Sequence, residues 1–337
     1  MSSSPLDDTV FAGLLVAGTT PGVALTQLAC LTVRLGLVDA VAEAPRTAQE
    51  LADRTGTHAP SLGRVLRALV GCGVLERSGD RYTIGPVGHR LKTDAPDSLR
   101  APLVGVYDAW RVWGALEHTL RTGEPAFRHA LGEREWDFLR SNPGSNQAFT
   151  EHMARLSAQK TRALSTYPFP PHAHVIDVGG RDGTLLSSVL AREPTLVGTV
   201  FDRPEMTTIA KAKIRERGLE GRCTVVGGDF FESIPTGGER YILSSVLHDW
   251  EREDCIRILK NCRSSMGDDA RLLVIEIVLD DDDTWSTGTM LDLNMMVITG
   301  GRERARREWL DLFDAAELRL AATFTTGDYT ILECVRA

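Results

Sequence analysis

The segment His174-Val-Ile-Asp-Val-Gly-Gly-Arg-Asp-Gly-Thr-Leu-Leu186 constrains the fold of this chain more than any other. An apolar run ends at Asp177, a glycine turn follows, and an apolar pattern of helical period resumes after Gly183. A strand, a tight loop and a helix start form the unit at which open α/β sheets bind cofactors. The loop departs from the dinucleotide fingerprint, because Arg181 and Thr184 stand where that pattern places glycines.

The charge of this loop indicates the kind of ligand that it would accept. Asp177 and Asp182 place two carboxylates in it, which repel a pyrophosphate but attract a cationic ligand. S-adenosylmethionine carries a sulfonium and an ammonium group, so the loop predicts a site for this methyl donor. The alternative is a buried βα turn that binds nothing.

Composition and charge narrow the class of protein. The 337 residues, 42% hydrophobic and 25% charged, suffice for one large domain or two ordinary ones. A formal net charge of −8 argues against general nucleic-acid binding. The six cysteines form no Cys-x-x-Cys pair, so we expect reduced thiols and a cytoplasmic protein without structural zinc. Glycine and proline interrupt the apolar stretch 10–37, which argues against a membrane span.

The pattern of residues 1–100 predicts a winged helix. Residues 10–44 read as two helical pieces split near Pro21, and the second, 24–41, carries a broad apolar face that needs a partner. Thr47 and Glu50 form a capping box for a short helix, a second helix covers 60–70, and a hairpin turns at 78–81. We therefore predict an N-terminal winged-helix domain that serves dimerisation.

A winged helix also invites a DNA-binding interpretation, as in a regulator that senses S-adenosylmethionine. Arg64 and Arg67 lie on the second helix, where a base-reading protein would need them. The same helix is strongly apolar on its other side, and the domain has no lysine cluster. Packing or dimerisation is the favoured function, and we predict no nucleic-acid partner.

Residues 101–170 read as a series of helices. Trp110, Phe149 and Met153 fall at helical spacing among apolar neighbours, a pattern that usually marks a core. Such residues can also line a pocket for a flat ligand, because methionine adapts its shape. We predict a helical linker that lines an acceptor pocket, with these three residues as acceptor contacts.

Residues 171–337 alternate between strands and helices. Strands are predicted at 174–179, 196–201, 223–227, 240–247 and 271–279, with helices between them and a closing hairpin at 318–335. This alternation predicts an α/β fold, a Rossmann-like domain with a mostly parallel sheet and an antiparallel C-terminal hairpin.

Acidic residues close consecutive strands of this predicted sheet. Asp202 ends the second strand, at the distance from Asp177 where a carboxylate grips ribose hydroxyls. Asp229 ends the third strand and could accept a hydrogen bond from an adenine amino group, with Phe230 against the ring. The alternatives are a helix cap before Pro204 and a turn-forming Asp. Asp177, Asp202 and Asp229 lie at the ends of consecutive strands, and this regular placement favours cofactor binding.

The fourth strand leads to the candidate base. His248 follows it at the ligand-binding edge and titrates near neutral pH. Glu276 lies within an otherwise apolar strand, where a carboxylate needs a partner, and His248 is the expected one. Glu303 could supply a second carboxylate, although an exposed charge at a helix start fits its surroundings equally well.

Across nearly its whole length the sequence resembles the class I S-adenosylmethionine-dependent O-methyltransferases of the plant caffeate and bacterial polyketide-tailoring type. The resemblance is carried by five motifs: Asp177-Val-Gly-Gly-Arg-Asp-Gly183, Phe201-Asp-Arg-Pro204, Gly227-Gly-Asp-Phe230, Leu247-His-Asp-Trp250, and Asp292-Leu-Asn-Met-Met296 with Gly300-Gly-Arg-Glu-Arg304. It implies that His248 is the general base, assisted by Glu276 and Glu303. It also implies donor contacts by Gly179, Asp202, Asp229 and Phe230. Asp177, Gly180 and Ser244 are expected to contact the donor as well.

Two positions depart from the family pattern. Arg181 replaces a third consecutive glycine, and Ser244 replaces a common lysine, which removes a cation near the donor.

Acceptor contacts are expected from Asp249, Asn294 and Met295. The resemblance implies a homodimer that methylates a hydroxyl of a small aromatic natural product, as in antibiotic biosynthesis, with S-adenosylhomocysteine as product and no metal. The alternative is the same fold used as a cyclase or hydroxylase that holds the cofactor.

Overall fold

The computed structural model describes residues 20–95, 98–280 and 286–337. Contacts divide them into two compact units: one holds 20–115 and Ala130–His152, and the other holds Leu116–His129 and Met153–Ala337. The predicted linker 101–170 is thus shared between the two units. Its predicted role in lining an acceptor pocket stays a prediction.

The first half of the chain is mainly helical. Its helices are α1 Thr20–Arg34, α2 Leu37–Glu43, α3 Ala48–Thr55, α4 Ala59–Gly71, α5 Arg100–Trp113, α6 Leu116–Thr122, α7 Ala126–Leu131, α8 Glu135–Ser141 and α9 Pro143–Leu164. Its strands are β1 Arg46–Thr47, β2 Leu75–Ser78 and β3 Arg81–Ile84, in the order β1-β3-β2. The predicted hairpin and the capping box of Thr47 with Glu50 are both present.

One predicted helix is divided. The piece expected at 24–41 breaks at Gly36, whose φ of 63° lies in the left-handed region that favours glycine. The helical piece predicted before Pro21 lies outside the described residues. Among those described, no single helix is long and apolar enough to cross a bilayer. Gly22–Arg34 and Leu37–Glu43 reach that length only as a pair bent by 53°.

The second half of the chain builds the α/β sheet. Its strands are β4 His174–Val178, β5 Val197–Asp202, β6 Cys223–Gly227, β7 Arg240–Ser244, β8 Arg271–Glu276, β9 Val278–Leu279, β10 Arg304–Ala305, β11 Leu318–Thr326 and β12 Tyr329–Arg336. Its helices are α10 Thr184–Arg192, α11 Thr207–Glu216, α12 Arg252–Ser265, α13 Thr287–Ile298 and α14 Arg306–Ala315.

Seven strands form this sheet in the order β11-β12-β8-β7-β4-β5-β6. The strands from β8 to β6 are parallel, and β12 and β11 add the predicted antiparallel hairpin. One face packs against α12 and α14 through Ile258 and Trp309, and the other packs against α10 through Leu186. Parallel strands buried on both faces bring their carboxyl ends to one edge, where ligands bind.

Two predicted strands end three residues earlier than expected. β7 stops at Ser244, so His248 lies on a separate 3₁₀ turn, Leu247–Asp249, instead of directly following the strand. Ser245 adopts a positive φ of 49° at that exit. β8 stops at Glu276, and the short β9 pairs in parallel with β10 outside the main sheet. This pairing brings the segment of Glu303 next to β8.

Candidate active site

The glycine loop, residues 179–183, is pressed against its neighbours. Gly179 has a φ of 74°, its N–H donates to Phe201 O at 2.8 Å, and an added Cβ would lie 2.9 Å from Val246 Cγ2. A Cβ at Gly180 would lie 2.8 Å from Asp177 Oδ2. Glycine is therefore required at both positions, and the resulting concave backbone can approach a ligand closely.

Asp177 lies directly beneath this loop. It is 2% exposed, and its Oδ2 has no hydrogen-bond partner. Burial raises the pKa of Asp177 to about 7, the charge of Asp202 raises it further, and the ammonium of Lys160 opposes both. A buried carboxylate oxygen without a partner is costly in protein alone, so this atom is a candidate for contact with a bound cation.

Asp202 holds the other side of the loop. Its Oδ2 accepts from the N–H of Arg181 at 2.8 Å, and its Oδ1 accepts from the N–H of Arg203 at 2.7 Å. The alternative role of Asp202 as a helix cap is wrong, because Arg203 occupies the cap position of the next helical turn. Each carboxylate oxygen can accept a further bond, which suits ribose hydroxyls.

Asp229 and Phe230 complete this part of the edge. Asp229 is exposed, and its Oδ1 accepts from Phe231 N at 2.8 Å, so the turn-forming role is present. Phe230 Cε1 lies 3.9 Å from the Cβ position of Gly179, which places an aromatic ring beside the loop. The concave glycines, the orphaned oxygen of Asp177 and the acids at successive strand ends fit S-adenosylmethionine.

His248 is held by one carboxylate in direct contact. Its Nδ1 lies 2.7 Å from Glu303 Oε1 and 3.7 Å from Glu276 Oε2. Glu303 is 1% exposed, so the alternative of an exposed charge is wrong for it. The geometry corrects the expected partner: Glu303, not Glu276, makes the hydrogen bond that orients the ring.

Glu276 instead supports the histidine turn, residues 246–250. Its Oε1 accepts from the N–H groups of Val246 at 3.1 Å and Leu247 at 3.0 Å, and the residue is fully buried. Burial raises the pKa of Glu276 to about 7, although the neighbouring His248 lowers it. Glu276 therefore fixes the backbone that carries His248 and contributes charge to the ring from a longer distance.

Arg304, to which the sequence pattern assigned no role, holds the same turn from the other side. Its Nη1 donates to Leu247 O at 3.0 Å and its Nη2 to Trp250 O at 2.7 Å. Arg302 N donates to His248 O at 2.8 Å, and Gly301 leaves no room for a Cβ beside that oxygen. The signal in the sequence was a glycine pair followed by alternating charges, which does not reveal that Arg304 is buried.

The charges around His248 decide its protonation. Burial lowers the pKa of its imidazole, but Glu276, Asp249 and Glu303 outweigh burial and raise the pKa to about 10. Asp249 Oδ1 lies 3.8 Å from Nε2. With Nδ1 engaged by Glu303, Nε2 is the nitrogen left to exchange a proton with a reactant.

His248 and the two glutamates beside it also form a candidate metal group. One ligand atom from each of His248, Glu276 and Glu303 lies within 4.8 Å of the others. The 2.7 Å separation of Nδ1 and Oε1 is a direct hydrogen-bond distance. The predicted independence from metal stays a prediction, which activity in the presence of a chelator would test.

Other predicted contacts occupy varied positions. Ser244 Oγ is buried without a hydrogen-bond partner at the end of β7. On α13, Met295 is 6% exposed and Asn294 is half-buried, and Met153 on α9 is also half-buried. In the N-terminal unit, Trp110 is 42% exposed, and the ring of Phe149 packs edge-on against that of Trp136. The acceptor roles of these residues, and of Asp249, stay predictions.

A mostly parallel sheet with this cradle at its carboxyl edge defines a class I S-adenosylmethionine-dependent methyltransferase. Family models give the particular family. Residues 113–319 match an O-methyltransferase domain, and residues 19–94 match an O-methyltransferase dimerisation domain. The chain belongs to this O-methyltransferase family.

Three known proteins illustrate the similarity. A phenazine O-methyltransferase from Lysobacter antibioticus is 37% identical over 90% of both chains. A crystal structure of an O-methyltransferase from neocarzinostatin biosynthesis, with S-adenosylhomocysteine and 1,4-dihydroxy-2-naphthoic acid, has a TM-score of 0.83 and 34% identity, covering 93% of this chain and 96% of that one. Aclacinomycin 10-hydroxylase from Streptomyces purpurascens is 33% identical over 89% of this chain and 84% of its own.

Proposed function

We propose that this O-methyltransferase transfers the methyl group of S-adenosylmethionine to a hydroxyl of a small aromatic natural product. The observation that carries the proposal is the hydrogen bond from His248 Nδ1 to the buried Glu303, on the strand-end edge that also holds the glycine loop. The relatives named for phenazine methylation and crystallised with a naphthoic acid support a flat aromatic acceptor. This chemistry fits antibiotic biosynthesis.

The mechanism needs a base, an aligned acceptor and a bound donor. When bound, S-adenosylmethionine would supply the electrophilic methyl group and leave as S-adenosylhomocysteine. Glu303 accepts a hydrogen bond from Nδ1–H and fixes the ring, so Nε2 is the nitrogen that takes the proton of the acceptor hydroxyl. Alignment of the oxygen contributes most of the acceleration.

The raised pKa of His248 has a consequence for this base. A pKa of about 10 keeps the imidazole protonated at neutral pH when no ligand is present. A positive charge bound beside the glycine loop opposes that protonation, because like charges lower the pKa of a cationic group. Binding of a cationic donor therefore favours the neutral imidazole that can act as a base.

Donor binding is tested by calorimetry. Asp202→Ala removes both the loop support and the proposed ribose acceptor, so we expect clearly weaker binding of S-adenosylmethionine. Glu205→Ala is the matched control, because Glu205 is exposed and follows Asp202 closely in the chain. Equal affinity of wild type and Asp202→Ala would remove Asp202 from the donor site.

The reaction is tested with a panel of aromatic acceptors. Purified protein, S-adenosylmethionine and hydroxylated naphthoates, phenazines or anthraquinones are incubated, and products are identified by mass. A product heavier by one methyl group supports methyl transfer. An oxygenated or cyclised product would favour the alternative, which the similarity to a hydroxylase keeps open.

We also propose a homodimer formed by the N-terminal domain. Support comes from the match of residues 19–94 to a dimerisation domain and from Leu25 and Leu31, apolar side chains exposed on α1. A stable, active monomer in sedimentation at micromolar concentration would contradict this.

The six free cysteines agree with the inferred cytoplasmic location. A gel shift with the gene's own upstream DNA tests for a regulator.

A further inference from the structure

Lys160, near the end of α9, is a buried cation that the proposed mechanism does not use. It is 3% exposed, and its Nζ lies over the ring of Tyr329 at 5.4 Å from the centroid. Within the described residues, no hydrogen bond or ion pair to this ammonium is present. An ammonium has three hydrogen-bond donors, and a buried charge is costly unless it is paired.

The position of this ammonium relates it to the donor site. Tyr329, the ring beneath it, directly precedes Thr330, which pairs with Glu276 at the carboxyl end of β8, so the ammonium lies at the edge of the sheet that carries the site. The carboxylates of Glu276, Asp177 and Asp249 act on it there. Burial lowers the pKa of Lys160 to about 8, and these carboxylates oppose that fall. The side chain is therefore largely charged at neutral pH.

The methionine end of S-adenosylmethionine needs a cation at its binding site. Asp177, Asp202 and Asp229 suit the positive groups and hydroxyls of S-adenosylmethionine, but its methionine end also carries a carboxylate. Arg181, another cation at this edge, lies in the field of Asp202, Asp182 and Asp249. Lys160, by contrast, is buried and has no hydrogen bond or ion pair within the described part of the chain.

We propose that Lys160 binds the carboxylate of the methionine moiety of the donor and so positions the methyl group for transfer. The inference rests on the proposed function, because it presumes S-adenosylmethionine as ligand.

Ser244 gives a second, independent observation. Its buried Oγ has no hydrogen-bond partner, and it ends β7 between Asp177 on β4 and Glu276 on β8. Ser244 pairs with Ile275, the residue before Glu276, and the ring beneath Lys160 belongs to Tyr329, the residue before Thr330, which pairs with Glu276. Two unpartnered polar groups, one from a helix and one from a strand end, thus lie near the carboxyl end of β8, and a carboxylate bound there would accept from both.

The experiment compares two ligands on two proteins. Calorimetry measures binding of S-adenosylmethionine and of decarboxylated S-adenosylmethionine, which keeps the nucleoside, sulfonium and amine, to wild type and Lys160→Met. We expect Lys160→Met to bind S-adenosylmethionine about 10- to 100-fold more weakly, as for a lost charged hydrogen bond, and the decarboxylated donor equally well or better. Lys211→Met, which changes an exposed lysine, is the matched control.

A rescue variant separates positioning from folding. Lys160→Met combined with Ser244→Lys supplies an ammonium from the strand end, and we expect it to recover most of the lost S-adenosylmethionine affinity. Equal losses for both ligands, or no loss for either, would overturn the assignment of Lys160. Absence of S-adenosylmethionine binding by the wild type would instead overturn the proposed function. If Lys160→Met does not fold, Lys160→Gln replaces it in the same comparison.

Discussion

The glycine loop and the histidine turn lie at the ends of adjacent strands, yet they are held in opposite ways. Apart from the buried Asp177, the acids around the glycine loop are half-buried or exposed and bond to backbone N–H groups, as when Asp182 accepts from Thr184 N at 3.0 Å. The histidine turn is held by buried side chains from remote segments, Glu276 on β8 and Arg304 on β10. The glycine loop with its acids, the donor side of the site, is thus held by local contacts. The histidine turn with its supporting residues, the base side, depends on long-range contacts.

This contrast has an energetic meaning. A locally bonded, solvated acid costs little to replace, because water can take over its hydrogen bonds. A buried carboxylate that satisfies remote backbone groups leaves them orphaned when it is removed. Changes on the donor side should therefore alter binding more than stability, and changes on the base side should alter stability or turnover.

The largest expected effect is on turnover. His248→Ala should lower kcat by about 10²- to 10⁴-fold, because the proton acceptor is lost, and should leave S-adenosylmethionine affinity largely unchanged. Rates at saturating donor and acceptor, with calorimetry for the donor, measure both. His58→Ala, at an exposed histidine, is the control. Wild-type turnover by His248→Ala from pH 6 to 9 would show that His248 is not the base.

The next effect is on stability. Glu276→Ala should lower the free energy of unfolding by about 2–5 kcal/mol, because it orphans the N–H groups of Val246 and Leu247 in the interior. Glu276→Gln keeps an oxygen that can accept both bonds and should lose less. Urea unfolding measures the difference. Equal stability of both variants and wild type would mean that the turn is held without Glu276.

The pH dependence tests the charges around the base. Carboxylates raise the pKa of His248, so the neutral base and the rate increase as pH rises above neutrality. Glu303→Gln removes one of these charges and the orienting bond, so kcat should fall at least about tenfold. The rise of the pH–rate profile should also move to lower pH. Profiles that superimpose after scaling would show that Glu303 does not influence the titration of His248.

The smallest expected effect is on the donor side. Asp229→Ala should weaken S-adenosylmethionine binding by about 2- to 10-fold through a lost adenine contact, and change unfolding by less than about 1 kcal/mol. Calorimetry and urea unfolding provide the two numbers. A stability loss as large as that of Glu276→Ala would break the distinction between the two sides.

Much of this architecture could be predicted because it is encoded locally. Apolar periodicity predicted a helix that begins after Gly183, where α10 does begin, and the acids at strand ends followed from strand order alone. The break at Gly36 and the early end of β7 depend on single backbone dihedrals that periodicity does not report. Sequence pattern did not show which carboxylate reaches His248, because the β9–β10 pairing that positions Glu303 is a long-range contact.

The last strand in chain order has an unexpected role in the sheet. β12 lies between β8 and β11, so the strand that carries Glu276 has an edge open to solvent until β12 pairs with it. During synthesis from the N terminus, the glycine loop and its neighbouring strands emerge long before this strand. The strand that carries Glu276 therefore completes its pairing later than the strands around the glycine loop. This last step belongs to the slow, non-local phase of folding.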